Sequence, residues 1–164
     1  MKFLRALSCA LAGWLPAIAF AQDTLTLTLA DGHDFVRYGQ TLDYVVTLTN
    51  DGDTAATVPV SIDLSPAWDA AGASWVCYPG ADGASCTTSG SGPLNDVATL
   101  PPGARASWVV SVPTLADTPD TTATLEVIAT GAATASDTNT LVVFKDGFDV
   151  PYGDGTQDVP QQGR

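Results

Sequence analysis

Lysine, glutamate, histidine and methionine are nearly missing from this chain, and basic residues of any kind are scarce. Its 164 residues hold six Lys and Arg against 18 Asp and Glu, with one His and one Met. Gripping phosphates requires clustered Lys and Arg, and so does lying on anionic lipid, so the composition points away from nucleic acid and from a charged membrane surface. Ser-His-Asp chemistry would have to use His33, which falls in the polar run Asp31-Gly32-His33-Asp34. No Gly-x-Ser-x-Gly nucleophile turn occurs, and the glycines sit in turns rather than in a phosphate-cradling loop. Glu126, the single glutamate, lies inside a strand-like run, where it reads as a solvent-facing strand residue rather than half of a carboxylate pair. The expectation is a protein that is not an enzyme.

Long apolar runs are missing too, except at the start. Lys2 and Arg5 precede an apolar stretch from Ala6 to Phe20, and Ala19-Phe20-Ala21 has the small-x-small form of a secretory cleavage site. Pro16 breaks a stretch already too short to span a bilayer. Residues 1–21 are therefore expected to be a signal peptide, with Cys9 discarded inside it and the mature chain beginning at Gln22. No later segment is apolar for long enough to cross a membrane. Four basic residues remain after cleavage, Arg37, Arg105, Lys145 and Arg164, so the net charge of −12 moves to about −14. Such a charge keeps an exported protein dispersed. The remaining length suits one domain with a single core.

Cysteine is sparse but informative. Cys77 and Cys86 survive processing, and an exported chain meets an oxidising compartment. Pro79-Gly80 and Asp82-Gly83 between them let the chain turn back between neighbouring strands. A disulfide closing so short a loop stabilises by about 2–3 kcal/mol. Zinc would need two further ligands beside this pair, and the chain has one histidine.

What is abundant is alternation. Leu25, Leu27 and Leu29 alternate with threonines; Leu42, Tyr44, Val46 and Leu48 repeat the pattern, as do Val58, Val60, Ile62 and Leu64. Trp75 and Cys77 share a face, followed by Ala106, Trp108, Val110 and Val112, then Ala123, Leu125 and Val127, and a last run from Thr140 to Phe144. Asn50-Asp51-Gly52-Asp53, Ser89-Gly90-Ser91-Gly92-Pro93, Pro101-Pro102-Gly103 and Thr118-Pro119-Asp120 supply turns between them. Short strands at this spacing predict an all-β, two-sheet antiparallel sandwich of seven or eight strands over residues 22–144, followed by a flexible acidic tail over 145–164.

The order of these pieces carries a resemblance. Gly39, then Leu42 and Tyr44 leading to Thr49-Asn50-Asp51-Gly52, then the Val58 to Asp63 strand, Trp75-x-Cys77 with Cys86, and Leu100-Pro101-Pro102-Gly103 before the Arg105 to Val112 strand resemble the bacterial conserved repeat domain, the domain of unknown function eleven. The match runs over roughly residues 24 to 144. The resemblance implies an immunoglobulin-like sandwich in secreted or cell-surface bacterial proteins, commonly a repeated spacer or adhesive module, with no catalytic motif to transfer. A single copy is present, and Phe144-Lys145-Asp146-Gly147-Phe148-Asp149 resembles a short motif near the ends of other secreted bacterial proteins.

The reading is thus an exported, non-enzymatic structural or adhesive module of the bacterial envelope or surface. Its partner would be a protein or envelope component, and its location extracellular or at the cell surface, with the periplasm as the other compartment. The alternative is a small secreted binding protein for calcium or carbohydrate. Calcium wants several carboxylate and carbonyl oxygens converging from loops; the candidates are Asp31 with Asp34, Asp51 with Asp53, and Asp146, Asp149 and Asp154 of the tail. No cofactor is otherwise expected. Carbohydrate would stack on an aromatic ring, and the candidates are Trp68, in the loop Ser65-Pro66-Ala67-Trp68-Asp69, and Tyr78 beside the cysteine turn. Trp75 and Trp108 are expected in the core.

Overall fold

The alternating runs become strands because their two sets of side chains meet different surroundings. In a computed structural model, which describes residues 25–132 and 134–143, Leu42, Tyr44, Val46 and Leu48 are buried while Thr41, Asp43 and Val45 between them face outward. The expected signal segment, the tail and its Asp146, Asp149 and Asp154 lie outside the described residues.

Ten strands form among the described residues: β1 (Leu25–Ala30), β2 (Phe35–Arg37), β3 (Thr41–Asn50), β4 (Ala56–Leu64), β5 (Ser74–Pro79), β6 (Ser89–Ser91), β7 (Asn95–Leu100), β8 (Arg105–Pro113), β9 (Thr122–Ala129) and β10 (Ala135–Val142). They make two five-stranded sheets, ordered β1-β3-β8-β5-β6 and β2-β10-β9-β4-β7. Their inner faces enclose one core in an immunoglobulin-like sandwich, with Trp108, Tyr44, Leu48, Leu100 and Leu125 among its largest fully buried side chains. Trp75 and Trp108 are both buried, as expected.

The count exceeds the seven or eight expected because β2 and β6 are only three residues long and β7 has few large apolar side chains. The first half of β10 was also illegible, since its inward positions are Ala135, Asp137 and Asn139. The sheets are not wholly antiparallel. The chain leaves the first sheet after β1, crosses at residues 31–34, and β2 joins the edge of the second sheet parallel to β10. All other strand pairs are antiparallel.

Two turn motifs meet at one end. The Asn50 side chain, completely buried, donates through Nδ2 to Thr54 O at 2.7 Å and Leu100 O at 2.9 Å, and its Oδ1 accepts from Gly52 N at 3.0 Å. Gly103 N donates to Asn50 O at 2.8 Å from a φ of +73°, a backbone state that disfavours any side chain. One asparagine therefore ties the β3–β4 turn to the β7–β8 turn and satisfies carbonyls that would otherwise be buried unpaired.

Cys77 and Cys86 are bonded. Cys86 lies in the β5–β6 loop rather than on a neighbouring strand, and Ser85 beside it exchanges two backbone hydrogen bonds of 2.9 Å with Thr99 of β7. The disulfide thus joins β5 of one sheet to a segment held by the other. Beneath it Asp96, nearly buried, accepts from Thr87 N, Val97 N and Trp108 Nε1 at 3.1, 2.8 and 2.9 Å, which satisfies a charge that would be expensive to bury alone. Reducing the bond should lower stability by about 2–3 kcal/mol, seen as a lower melting temperature with unchanged far-ultraviolet dichroism.

Gly90 pairs with Trp75, and a Cβ placed on it would lie 2.4 Å from the indole. The ring occupies the space a side chain would take. Gly90→Ala should therefore cost about 1–3 kcal/mol in thermal or urea unfolding, whereas Gly92→Ala meets no neighbouring atom and loses only what its φ of +81° demands.

Candidate functional site

Strand pairing brings together residues far apart in sequence on the outer face of the first sheet. Ala30 lies opposite Val45, Val45 opposite Val109, and Val109 opposite Val76, so one row of aliphatic side chains crosses β1, β3, β8 and β5. Val45 is 46% exposed and Val76 39%. Tyr78, two residues beyond Val76 and on the same face, is 59% exposed. The flanking rows are Thr47, Ser107, Asp43, Ser111 and Ser74. Thr47 Oγ1 and Ser107 Oγ share a hydrogen bond of 3.0 Å, and Ser111 Oγ donates to Asp43 Oδ1. Along β3, β8 and β5 this face carries only Asp43 and Arg105 as charges. The acids are concentrated in loops, at Asp31, Asp34, Asp51, Asp53, Asp69, Asp82, Asp117 and Asp120.

Of the two aromatic candidates, the structure leaves Tyr78 on the surface and removes Trp68 from it. Trp68 is 4% exposed, its Nε1 donates to Thr124 O at 3.0 Å, and its ring meets Tyr44 edge-on at 5.9 Å. The loop after β4 folds back on itself, with Trp68 N donating to Ser65 O and an isolated bridge to Thr114, so the indole enters the core instead of facing a sugar. This corrects the expectation that Trp68 contacts ligand.

Of the calcium candidates, Asp34 is exposed and Asp31 accepts from His33 N at 2.9 Å and Asn139 Nδ2 at 2.7 Å. Asp51 accepts a 2.6 Å hydrogen bond from Thr26 Oγ1, and Asp53 is exposed. Among the described residues, one group brings three His, Cys, Asp or Glu ligand atoms together: Cys77, Cys86 and Asp96. Its sulfurs are committed to the disulfide and offer no thiolate.

A groove of about 700 Å³ runs beside β2, lined by His33, Asp34, Phe35, Arg37, Tyr38 and Val142 among others. Its lining holds no serine, cysteine or lysine. His33 is exposed, with its backbone N–H on Asp31 Oδ1 at 2.9 Å and its Nδ1 2.7 Å from Asp31 O. The imidazole is thus spent on its own turn.

Next to this groove, where the chain crosses between sheets, lies a polar knot that sequence reading missed. Asn139 of β10 is completely buried, and its Nδ2 lies 2.7 Å from Asp31 Oδ2, 2.8 Å from Tyr44 Oη and 2.9 Å from Asp137 Oδ2. An amide nitrogen has two hydrogens for these three oxygens. Burial, and then the charges of Asp31 and Asp137, push the Tyr44 phenol far above its ordinary pKa, so it remains a protonated donor. Burial, and then repulsion from Asp31 with a further contribution from Asp34, raises the Asp137 carboxyl above the usual carboxylate value, against the hydrogen bonds from Tyr44 and Asn139. The one sequence signal was an Asp-x-Asn pattern at inward strand positions, where apolar residues are the rule.

Because the folded chain binds the Asp137 proton more tightly than the unfolded chain does, Asp137 favours folding at low pH and opposes it as pH rises through its folded pKa. Asp137→Asn, which keeps an acceptor for Asn139, should therefore melt above the parent protein at neutral pH. The gain should shrink toward nothing by about pH 3, where the Asp137 carboxyl is largely protonated in the folded and the unfolded chain alike. Melting curves across that range check it, and a lower melting temperature at neutral pH would contradict the assignment.

No protein-family model matches the chain, and no curated protein matches it. Among solved structures, AvmM, which catalyses macrocyclization in alchivemycin A biosynthesis, is similar over 74% of this chain and 90% of its own, at 10% identity and a TM-score of 0.48. Spo0M, a sporulation control protein from Bacillus subtilis, is similar over 74% of this chain and 50% of its own, at 12% identity and a TM-score of 0.46. The collagen-binding domain from a Staphylococcus aureus adhesin is similar over 76% of this chain and 99% of its own, at 7% identity and a TM-score of 0.35. At these values the likeness carries no statement about activity or partner.

Proposed function

We propose that this protein is an exported, non-enzymatic interaction module that docks on an envelope or surface partner through the outer face of its first sheet. The observation that carries the reading is the aliphatic row Ala30, Val45, Val109 and Val76 with Tyr78 beside it, on a face holding two charges in a protein with 18 acids. The low charge of the face and its exposed tyrosine match protein interfaces, whose centres are depleted in charge and enriched in aromatic side chains. The acidic loops around the face would repel acidic competitors and leave the flat centre for contact. Export is supported by the Cys77–Cys86 bond, which persists in oxidising compartments, and by the N-terminal pattern of Lys2, Arg5 and the apolar run to Phe20. The motif order that resembles the conserved repeat domain supports the same reading. Among the described residues no helix is long and apolar enough to cross a membrane.

Cell fractionation with protease added to intact cells tests the location: the protein should be found at the surface and cleaved there. Binding of purified protein to isolated envelopes tests the face. Val45→Glu with Val76→Glu should weaken that binding by about tenfold or more, while circular dichroism shows the same fold. Confinement to the periplasm would sink the surface reading, and undiminished binding by the folded double variant would sink the face.

A further inference from the structure

Exposed apolar side chains gather at the edge of the second sheet. Phe35 of β2 is 60% exposed, and the groove of about 700 Å³ that it lines also takes in Arg37, Tyr38 and Val142. A second hollow of about 440 Å³ shares Arg37, Tyr38 and Val142 and carries the groove on to Val143, which is 74% exposed. Single exposed apolar residues are ordinary, but a strip of them along a groove marks a contact surface. A strand from a second copy does not fit the edge of β2. Arg37 N donates to Gln40 Oε1 at 3.1 Å, and Arg37 O accepts from Gln40 N at 3.1 Å and from Thr114 Oγ1 at 2.8 Å. These bonds occupy backbone groups that an added strand would need. The groove therefore takes side chains rather than a ladder.

Chain continuity and charge name the occupant. β10 runs parallel to β2 with Val142 opposite Arg37, so the chain leaves β10 at Val143, at the mouth of the groove. The residues that follow are Phe144-Lys145-Asp146-Gly147-Phe148-Asp149. We infer that this segment folds back onto the groove of its own chain, with Phe144 against Tyr38 and Val142, Asp146 beside Arg37, and Phe148 against Phe35. Strand alternation carries Phe144 to the side of Val142, and Asp146-Gly147 is turn chemistry that reverses the chain. Phe35 lies opposite Thr140, three residues back from Val143, which is about 10 Å at strand spacing. The five residues from Val143 to Phe148 span up to about 16 Å, enough to turn and reach it. Arg37 and Arg105 are the arginines and lysines among the described residues, so an acidic segment finds few places that attract it, and Arg37 makes this groove one of them. Asp34 lies at the Phe35 end of the lining, which leaves the Arg37 end for the carboxylate. A tether this short gives a millimolar effective concentration, above that of a second copy in ordinary use. The groove lies on the second sheet, apart from the docking face proposed on the first.

Phe148→Ala leaves both β10 and the groove untouched, and nuclear magnetic resonance of the purified full chain reads the contact. The variant should shift the amide resonances of Phe35, Arg37 and Tyr38 and leave those of Val76 and Val109, on the other sheet, in place. Phe35→Ser, a change at an exposed position, should keep the circular dichroism of the parent and shift the Gly147 and Phe148 resonances. Chymotrypsin should cleave after Phe148 about fivefold faster in Phe35→Ser than in the parent, because cleavage tracks the undocked population. The Phe148→Ala shifts should survive dilution by about twentyfold from millimolar protein, as an intramolecular contact does. Unmoved Phe35 and Tyr38 amides in Phe148→Ala would overturn the proposal, as would equal cleavage of parent and Phe35→Ser. Shifts that disappear on dilution would assign the segment to a second copy and overturn it as well.

Discussion

Where the chain passes from one sheet to the other, a single amide from β10 holds Asp31 in place and reaches Tyr44 in the opposite sheet. Much of the architecture follows from that crossing. With Asp31 held, the backbone can leave β1 and deliver β2 to the far sheet parallel to β10. Tyr44 is held at its hydroxyl end, and its ring then presents an edge to Trp68. Trp68 in turn closes the end of the core and is fixed by Thr124 of β9. A polar contact thus organises an apolar one. The arrangement gathers two carboxylates around one buried amide nitrogen.

The opposite end is secured differently. Asn50 joins two turns through backbone carbonyls, and the disulfide with Asp96 joins the β5–β6 loop to both sheets. These devices are satisfied internally and leave nothing for a ligand. Between the two ends the first sheet presents a smooth outer face of small polar and aliphatic side chains. Its low charge stands out because most of the described acids lie in loops or on the other sheet. A protein that must stay dispersed while keeping one face free for contact would distribute charge in this way.

The fold was largely readable in the residues. Period-two alternation in the stretches beginning at Leu25, Leu42, Val58, Ala106 and Ala123 marks strands with one buried face, and Gly-, Pro- and Asp-rich segments mark the turns. Burial of Trp75 and Trp108 and the pairing of Cys77 with Cys86 follow from the same logic. Strands β2 and β6 were hidden by their length, and the first half of β10 by polar residues at inward positions. Trp68 is only a candidate contact residue in the sequence, because a loop position does not say whether a side chain turns in or out; the structure turns it in.

The sequence by itself determined the class of fold and the scarcity of basic charge, since composition and local periodicity depend only on neighbours along the chain. Tertiary structure alone decided the pairings across long separations. Val45, Val109 and Val76 form a row only through strand register, and Asp31, Tyr44 and Asn139 meet only because β1, β3 and β10 converge at the crossing. Sequence spacing carries no information about which positions of different strands face one another, and both the aliphatic row and the polar knot are built from such pairs.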